Sequence, residues 1–251
     1  MTKFRNIETN YTVVANQRLS ARTFRMDLRG DTSELSRPGQ FVNLLLDGKY
    51  LRRPISVSDY NEEGLTLLYD VVGTGTAQMA AMTPGTIINT LTGLGNGFNP
   101  DRDCRHPVLL GGGIGCAPLL GLARELQARG KHVSVVLGFN KAEDVVMKDM
   151  FARIGIQPVI CTVDGSEGVK GFVTDGMAVE VPDADFFYAC GPTPMLRALC
   201  LGLDIEGEVS LEARMGCGFG ACMCCSVETR DEARRICKDG PVFLKNELIW
   251  K

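Results

Sequence analysis

The stretch Leu109–Pro118, LLGGGIGCAP, decides the fold of the second half of the chain. A short apolar run at Val108–Leu110 leads into its glycines, and apolar residues at helical spacing follow over Ala117–Arg129. A strand that passes through glycines into a helix presents free N–H groups and a positive helix end, which predicts a phosphate-binding turn. Because Cys116 stands where G-x-G-x-x-G would have its third glycine, an ordinary tight turn is the alternative.

The rest of this half alternates in the same way. Further strands are predicted over Val133–Leu137, Pro158–Val163 and Phe186–Cys190, and helices over Ala142–Ile154 and Pro192–Leu201. This order predicts a doubly wound parallel sheet with right-handed crossovers. A second turn, YACGP at 188–192, also lies between a strand and a helix. Because both turns fall at the carboxyl edge of the sheet, together they predict a dinucleotide crevice.

The first hundred residues have a different pattern of short strands separated by turn residues. Six strands are predicted, over Tyr11–Ala15, Thr23–Leu28, Gln40–Leu46, Pro54–Ser58, Leu65–Val72 and Thr86–Leu91. This number of short strands predicts a small antiparallel barrel. Within it, RRPIS at 52–56 carries two cations, and GTGT at 73–76 precedes a short helix over Ala77–Met82. Taken alone, these two motifs are typical of a solvated surface and an ordinary turn.

Half of the ten cysteines lie in the last fifth of the chain, at Cys217, Cys222, Cys224, Cys225 and Cys237. The spacing C-x4-C-x2-C over the first, second and fourth of these, with Cys237 further on, is the plant-type [2Fe-2S] ligand pattern. Interleaved glycines let the backbone fold around a cluster and direct N–H groups at its sulfurs. Zinc and disulfides are the weaker alternatives, because zinc more usually takes two separated C-x2-C pairs. Cys224 is interpreted as a bystander.

Composition excludes several classes of protein. The chain has 251 residues, with 27 Lys and Arg against 30 Asp and Glu, and this balance disfavours a nucleic-acid binder. A hydrophobic content of 45% excludes disorder. The uncharged stretch Pro107–Ala123 is interrupted by glycines and prolines, so it does not predict a membrane span. The N-terminus has no apolar signal segment, and the expected location is the cytoplasm.

The motifs occur in one order from residue 52 to residue 243: RRPIS, GTGT, GLGNGF, GGGIGCAPL, YACGP, CGFGACMCC and KDGPVF. This combination resembles the electron-transfer subunits of B-type dihydroorotate dehydrogenases, which belong to the ferredoxin reductase superfamily. The resemblance implies an FAD-binding antiparallel β-barrel over 1–101, a doubly wound NAD-binding α/β domain over 102–208 and a small [2Fe-2S] domain over 209–251. It also implies a heterotetramer with an FMN-containing catalytic subunit, acting in pyrimidine biosynthesis without nucleic acid or membrane.

The resemblance also implies roles for individual residues. FAD would be contacted at Arg53, Pro54, Ile55 and Ser56, and at Asp70, Val71, Val72, Gly75 and Thr76. Arg53 would meet the FAD pyrophosphate and Ser56 the flavin ring, whereas Asp70 departs from the arginine often found there in the family. The NAD(H) phosphates would lie at Gly112, Gly113 and Gly115, and the nicotinamide near Cys190 and Gly191. The cluster ligands would be Cys217, Cys222, Cys225 and Cys237.

Several points stay open. No side-chain acid or base is assigned, because the cofactors supply the chemistry. Gly138–Lys141 has neither the acidic residue typical of NAD sites nor an arginine for NADP, and the resemblance alone favours NADH. A ferredoxin- or sulfide-linked reductase of the same fold is one alternative function, and a zinc-stabilised, flavin-free nucleotide-binding protein is another. A contact surface for the catalytic subunit is predicted at Met215, Phe219, Met223, Val242 and Phe243. The alternative, above all for Val242 and Phe243, is that these residues pack the small cluster domain.

Overall fold

The computed structural model describes residues 7–250, and residues 1–6 and 251 lie outside it. Its first half is a closed antiparallel barrel with the strand order β1-β2-β5-β4-β3-β6. The strands are β1 (Ile7–Arg18), β2 (Thr23–Arg29), β3 (Phe41–Leu44), β4 (Arg53–Asn61), β5 (Gly64–Asp70) and β6 (Ile87–Leu94). A short helix, α1 (Thr74–Ala80), follows β5. All six predicted strands and the predicted barrel are confirmed.

Alternation of side chains explains why this half closes into a barrel. In β2, Met26 and Leu28 are buried inside the barrel, while Arg25 and Asp27 between them form an ion pair of 3.0 Å on the outside. Successive side chains of a strand point to opposite faces, so one face of each strand fills the interior. Tyr11 contributes its fully buried ring to the same core.

The second half is a seven-stranded sheet with the order β10-β9-β8-β7-β11-β12-β15. Its strands are β7 (Pro107–Gly112), β8 (Ser134–Phe139), β9 (Val159–Thr162), β10 (Val169–Lys170), β11 (Phe186–Cys190), β12 (Glu206–Ser210) and β15 (Val242–Leu244), and a separate hairpin pairs β13 (Ser226–Glu228) with β14 (Ala233–Arg235). All neighbouring pairs are parallel except β12 with β15. The parallel-sheet prediction is therefore confirmed. The last strand, β15, returns beside β12 after the cysteine-rich segment.

Five helices accompany the sheet: α2 (Leu119–Ala128), α3 (Lys148–Arg153), α4 (Val173–Glu180), α5 (Thr193–Gly202) and α6 (Ile236–Asp239). The prediction of one helix over Ala142–Ile154 is wrong, because that segment is a 3-10 turn at Ala142–Asp144 followed by α3. Met147 has a left-handed φ of 69° between the two, and its side chain is buried in the core. Burial of this Met overrides the local helical preference.

The barrel and the sheet pack directly against each other. The Ser58 hydroxyl of β4 donates a 2.8 Å hydrogen bond to the Ala117 carbonyl, just before α2. At Gly121 on α2, a Cβ would lie 3.0 Å from the Ser58 carbonyl oxygen, so glycine permits this close approach. These contacts hold the glycine turn of 111–115 beside the barrel.

The segment between barrel and sheet is fixed by a buried carboxylate. Glu208 of β12 is 3% exposed and accepts hydrogen bonds of 2.8 Å from the Arg102 guanidinium and the Asn99 backbone N–H. The predicted boundaries at 101/102 and 208/209 stay predictions, and the sheet continues through the second because it includes β15. None of the helices within residues 7–250 is long and apolar enough to span a bilayer.

Candidate functional site

A cavity of about 430 Å³ opens at the carboxyl edge of the parallel sheet. Gly112 and Gly113 of the first glycine turn line it, and Pro192 and Met195 line it from the start of α5. Gly113 has φ +55°, and a Cβ built on it would meet no other atom, so its backbone is open to a ligand. We call this space the dinucleotide cavity, because it has the position and the glycine backbone that a dinucleotide phosphate requires.

The two glycine turns support each other behind this cavity. A Cβ at Gly115 would lie 2.6 Å from both the Cys190 carbonyl oxygen and the Gly191 Cα. Cys190 is 1% exposed, and burial first, then the charge of Glu212, raises the pKa of its thiol. Gly115, Cys190 and Gly191 therefore back the dinucleotide cavity and are absent from its lining among the described residues.

A second space, of about 390 Å³, lies between the barrel and the sheet. We call it the flavin cleft. Its barrel wall includes Arg53, Pro54, Ile55, Ser56, Asp70, Val72 and Thr76, and its other wall includes Ile114, Pro118, Glu212 and Met215. Seven of the nine residues for which the resemblance implied FAD contacts thus line one cleft.

The remaining two residues, Gly75 and Val71, support that wall. A Cβ at Gly75 would lie 2.3 Å from Arg53 Nε, so only glycine lets this guanidinium lie against the start of α1. Thr76 Oγ1 accepts hydrogen bonds from the N–H groups of Val72 and Gly73, which shapes the GTGT turn. Val71 packs against the barrel core. A cation beside a helix start suits a pyrophosphate, so these residues fit FAD.

The dinucleotide cavity and the flavin cleft meet, since Asp70 and Ile114 line both. Asp70 accepts a 2.7 Å hydrogen bond from Thr23 Oγ1 and forms a 2.9 Å ion pair with Arg22 Nε. Across the cleft, burial raises the pKa of the Glu212 carboxyl, and the negative charge of Asp70 raises it further. The two spaces therefore adjoin at Asp70 and Ile114.

The cysteine loop, residues 214–240, lies next to the flavin cleft. Asn43 of β3 donates a 3.1 Å hydrogen bond to the Cys217 carbonyl, and Met215 lines the cleft. The backbone N–H of Ala221 lies 3.2 Å from Cys217 Sγ. Burial tends to raise the pKa of the Cys217 thiol, but hydrogen bonds from the N–H groups of Phe219, Cys222 and Ala221 lower it to about 6.

The predicted ligands lie in two pairs. Cys217 and Cys222 share backbone-to-sulfur contacts, and Cys237 N–H donates to Cys225 Sγ over 3.4 Å. Burial and the neighbouring Cys225 raise the pKa of Cys237 to about 12. Over residues 7–250 no three of these or other His, Cys, Asp or Glu side chains form a ready metal geometry. Thiols with N–H groups directed at sulfur nevertheless suit an iron–sulfur cluster chemically.

Cys224 differs from its neighbours. It is exposed, and its sulfur turns toward the Arg214 carbonyl at 3.7 Å. Cys225, in contrast, is 3% exposed and faces Cys237. The direction of the two side chains agrees with Cys225 as the ligand and Cys224 as a bystander, and both assignments stay predictions.

The predicted contact surface is only partly exposed. Val242 is 5% and Phe243 2% exposed because β15 packs them into the sheet core, so for these two residues the packing alternative holds and the contact-surface prediction does not. Phe219 and Met223 are 39% and 53% exposed on the cysteine loop. Met215 is partly buried and lines the flavin cleft.

Sequence reasoning missed several residues of the site. Arg22, Met195 and Glu212 line the cavity or the cleft but belong to no motif, and Ile114 lies within the first glycine turn but had no role assigned to it. The nearest signal for Arg22 is its place one residue before β2, where Thr23 pairs with Asp70. Glu212 lies two residues after the end of the sheet strand β12. Its position at the cleft becomes evident only from the strand order of the sheet.

The fold and the two connected spaces define a flavin- and nicotinamide-dependent reductase of the ferredoxin reductase type. The oxidoreductase NAD-binding domain family matches residues 109–201, and the iron-sulfur cluster binding domain of dihydroorotate dehydrogenase B matches residues 212–249. A dihydroorotate dehydrogenase B (NAD(+)) electron transfer subunit from Fusobacterium nucleatum is 39% identical, covering 94% of this chain and 96% of the relative. One from Geobacillus sp. is 42% identical, covering 95% and 97%. The chain therefore belongs to the family of dihydroorotate dehydrogenase B electron transfer subunits.

Solved structures agree with this assignment. The NADH-dependent reduced ferredoxin-NADP oxidoreductase of flavin-based electron bifurcation has a TM-score of 0.86 and 30% identity, covering 96% of this chain and 90% of its own. The ferredoxin reductase in carbazole 1,9a-dioxygenase, at a TM-score of 0.67 and 21% identity over 79% and 66%, shows the shared fold. These findings support the predicted cofactors, FAD, NAD(H) and a [2Fe-2S] cluster.

Proposed function

We propose that this chain is the electron-transfer subunit of an NAD-dependent dihydroorotate dehydrogenase in pyrimidine biosynthesis. It carries electrons between NAD(H) and an FMN-containing catalytic subunit, with which it forms a heterotetramer. The observation that supports this most is the continuity of three sites: Asp70 and Ile114 line both the dinucleotide cavity and the flavin cleft, and Met215 connects the cleft to the cysteine loop. Electron transfer needs such close succession of redox groups.

The residues of this chain bind and orient the cofactors. Gly112 and Gly113 would accept the NAD(H) phosphates on backbone N–H groups, with Gly115, Cys190 and Gly191 fixing the turn behind them. When bound, the cofactors supply hydride and one-electron chemistry. The residues proposed to hold FAD are Arg53, Pro54, Ile55, Ser56, Asp70, Val72 and Thr76, supported by Val71 and Gly75; the proposed cluster ligands are Cys217, Cys222, Cys225 and Cys237.

The proposal is tested by assaying the purified chain alone and mixed with the FMN subunit. The chain alone should oxidise NADH with an artificial acceptor such as ferricyanide. NADH-linked interconversion of dihydroorotate and orotate should require the mixture. Orotate turnover by the isolated, FMN-free chain would disprove the division of labour, and absence of NADH oxidation would disprove the proposed electron path.

A ferredoxin-linked NAD(P)H reductase is the second candidate, favoured by the 0.86 TM-score to the ferredoxin-NADP oxidoreductase. The two functions differ in the acceptor. Reduced ferredoxin formed by the chain from NADPH or NADH, with no gain of orotate turnover on adding the FMN subunit, would favour this second function. The zinc-stabilised alternative would give a colourless protein, whereas flavin and [2Fe-2S] absorb visible light.

A further inference from the structure

The dinucleotide cavity has an unusual charge distribution for a site that takes a pyrophosphate. Of the residues that the structure describes, Arg22 is the only Lys, Arg or His whose side chain lines it, whereas Asp70 and Asp144 contribute two carboxylates. The N–H groups of the glycine turn provide only partial positive charge. An anionic pyrophosphate in this cavity would therefore meet two carboxylates and a single cation.

Arg22 is held in place at both its backbone and its side chain. Its carbonyl accepts a 2.8 Å hydrogen bond from the N–H of Val71, the residue that directly follows β5. Its Nε forms the 2.9 Å ion pair with Asp70, whose other oxygen is fixed by Thr23 Oγ1 at 2.7 Å. Of the guanidinium nitrogens only Nε contacts a carboxylate, and within residues 7–250 the guanidinium has no other acceptor.

The two terminal nitrogens of Arg22 are therefore free, and the side chain is 55% exposed, whereas that of Asp70 is 9% exposed. A planar guanidinium with two free N–H groups matches the paired oxygens of a phosphate. Arg22 lines the dinucleotide cavity but not the flavin cleft, while Arg53 lines the cleft but not the cavity. The two arginines thus face different ligands.

We propose that Arg22, oriented by Asp70, binds the pyrophosphate of NAD(H), and that Arg53 serves FAD alone. Asp70 is then a positioning residue and does not itself contact phosphate. This inference rests on the proposed function, because it names the group that holds the nicotinamide dinucleotide in the same cavity.

The test measures binding of ADP-ribose, which carries the pyrophosphate but no nicotinamide, to the FAD-loaded chain by calorimetry. Arg22→Ala should weaken this binding roughly tenfold to hundredfold, the effect of one lost charge-assisted hydrogen-bonded contact, and leave FAD content unchanged. Arg25→Ala is the matched control, since it removes an Asp-paired arginine of β2 that does not line the cavity. Unchanged ADP-ribose affinity in Arg22→Ala would overturn the proposal.

A double variant distinguishes direct binding of the phosphate by Arg22 from neutralisation of Asp70 by Arg22. If Arg22 only neutralises Asp70, then Arg22→Ala with Asp70→Asn should restore ADP-ribose affinity fully, and that result would overturn the proposal. If Arg22 contacts the phosphate, most of the loss should persist in the double variant.

Kinetics give a second readout. With ferricyanide as acceptor, Arg22→Ala should raise KM for NADH while leaving turnover of 1-benzyl-1,4-dihydronicotinamide, a phosphate-free hydride donor, unchanged. An equal loss with both donors would mean that Arg22 is only structural and would overturn the proposal. Wild-type chain that binds ADP-ribose through Arg22 but does not oxidise NADH would support this inference and refute the proposed function.

Discussion

At the scale of single residues, the cysteine loop gives the sharpest distinction. Cys225 faces Cys237 inside the loop, whereas the exposed Cys224 turns its sulfur to a backbone carbonyl. Serine at position 225 should abolish normal cluster assembly, and serine at position 224 should leave it intact. Electron paramagnetic resonance of the two reduced variants measures this. A signal lost in Cys224→Ser and kept in Cys225→Ser would contradict the assignment.

The FAD site makes a second prediction at this scale. Arg53→Ala should weaken FAD retention by roughly tenfold or more, because a hydrogen bond to a charged group contributes about 1.5 to 3 kcal/mol. The FAD-to-protein ratio after gel filtration is the measurement. Arg29→Ala, an exposed change at the end of β2, should retain FAD at the wild-type level. Equal FAD content in all three proteins would count against Arg53.

Arg52 is unsuitable as a control, although sequence reasoning treated it as a solvated neighbour. Its side chain is 16% exposed and donates to the Asn43 and Asn89 carbonyls and to Glu8, so it ties together β1, β3 and β6. Arg52→Ala should therefore destabilise the barrel. The two adjacent arginines therefore have different tasks, since Arg52 joins strands of the barrel and Arg53 lines the flavin cleft.

At the scale of elements, the buried Glu208 links β12 to the segment between barrel and sheet. Burial raises the pKa of Glu208, while Asn99 and Arg102 lower it. Arg102→Met should reduce the free energy of unfolding by about 3 kcal/mol at pH 8, near the lower end for a broken buried ion pair, since Arg102 is one-third exposed.

The loss in the free energy of unfolding of the same variant should depend on pH. Without Arg102 the folded-state pKa of Glu208 rises further, while the unfolded chain keeps an ordinary value of about 4.3. The folded state then binds a proton that the unfolded state releases, so the destabilisation grows as pH rises above the unfolded value. Urea unfolding at pH 5 and pH 8 should show the smaller loss at pH 5. The Arg102→Met/Glu208→Gln double variant should lack this difference.

The elements also show what the sequence could and could not predict. The barrel strands and parallel sheet were predictable because alternation and strand–helix order are local signals, as Met26 and Leu28 in β2 illustrate. The broken helix at Met147 was not, because its left-handed backbone depends on burial of the side chain against distant elements. Likewise Arg22 reaches the cavity only through the pairing of β2 with β5, which no local motif encodes.

At the scale of the whole molecule, the exposed apolar residues of the cysteine loop bear on assembly. Phe219→Ser and Met223→Ser should each weaken binding to the FMN subunit roughly tenfold or more if these side chains are central in the interface. NADH oxidation with ferricyanide should be unchanged in both. Surface plasmon resonance against the FMN subunit measures the affinity. Val179→Ser, an exposed apolar change on α4, is the control, and an equal loss there would refute a specific surface.

The return of the chain to the sheet at β15 has a consequence for kinetics. The cysteine loop leaves the sheet after β12 and rejoins it at β15, and the Val242 N–H and carbonyl are bound to Asn96 at the end of the barrel half. Because both of its ends are anchored, the loop cannot swing on a tether as a mobile carrier domain does. Internal electron passage should therefore occur through a fixed relay, with a rate that does not slow in viscous solvent.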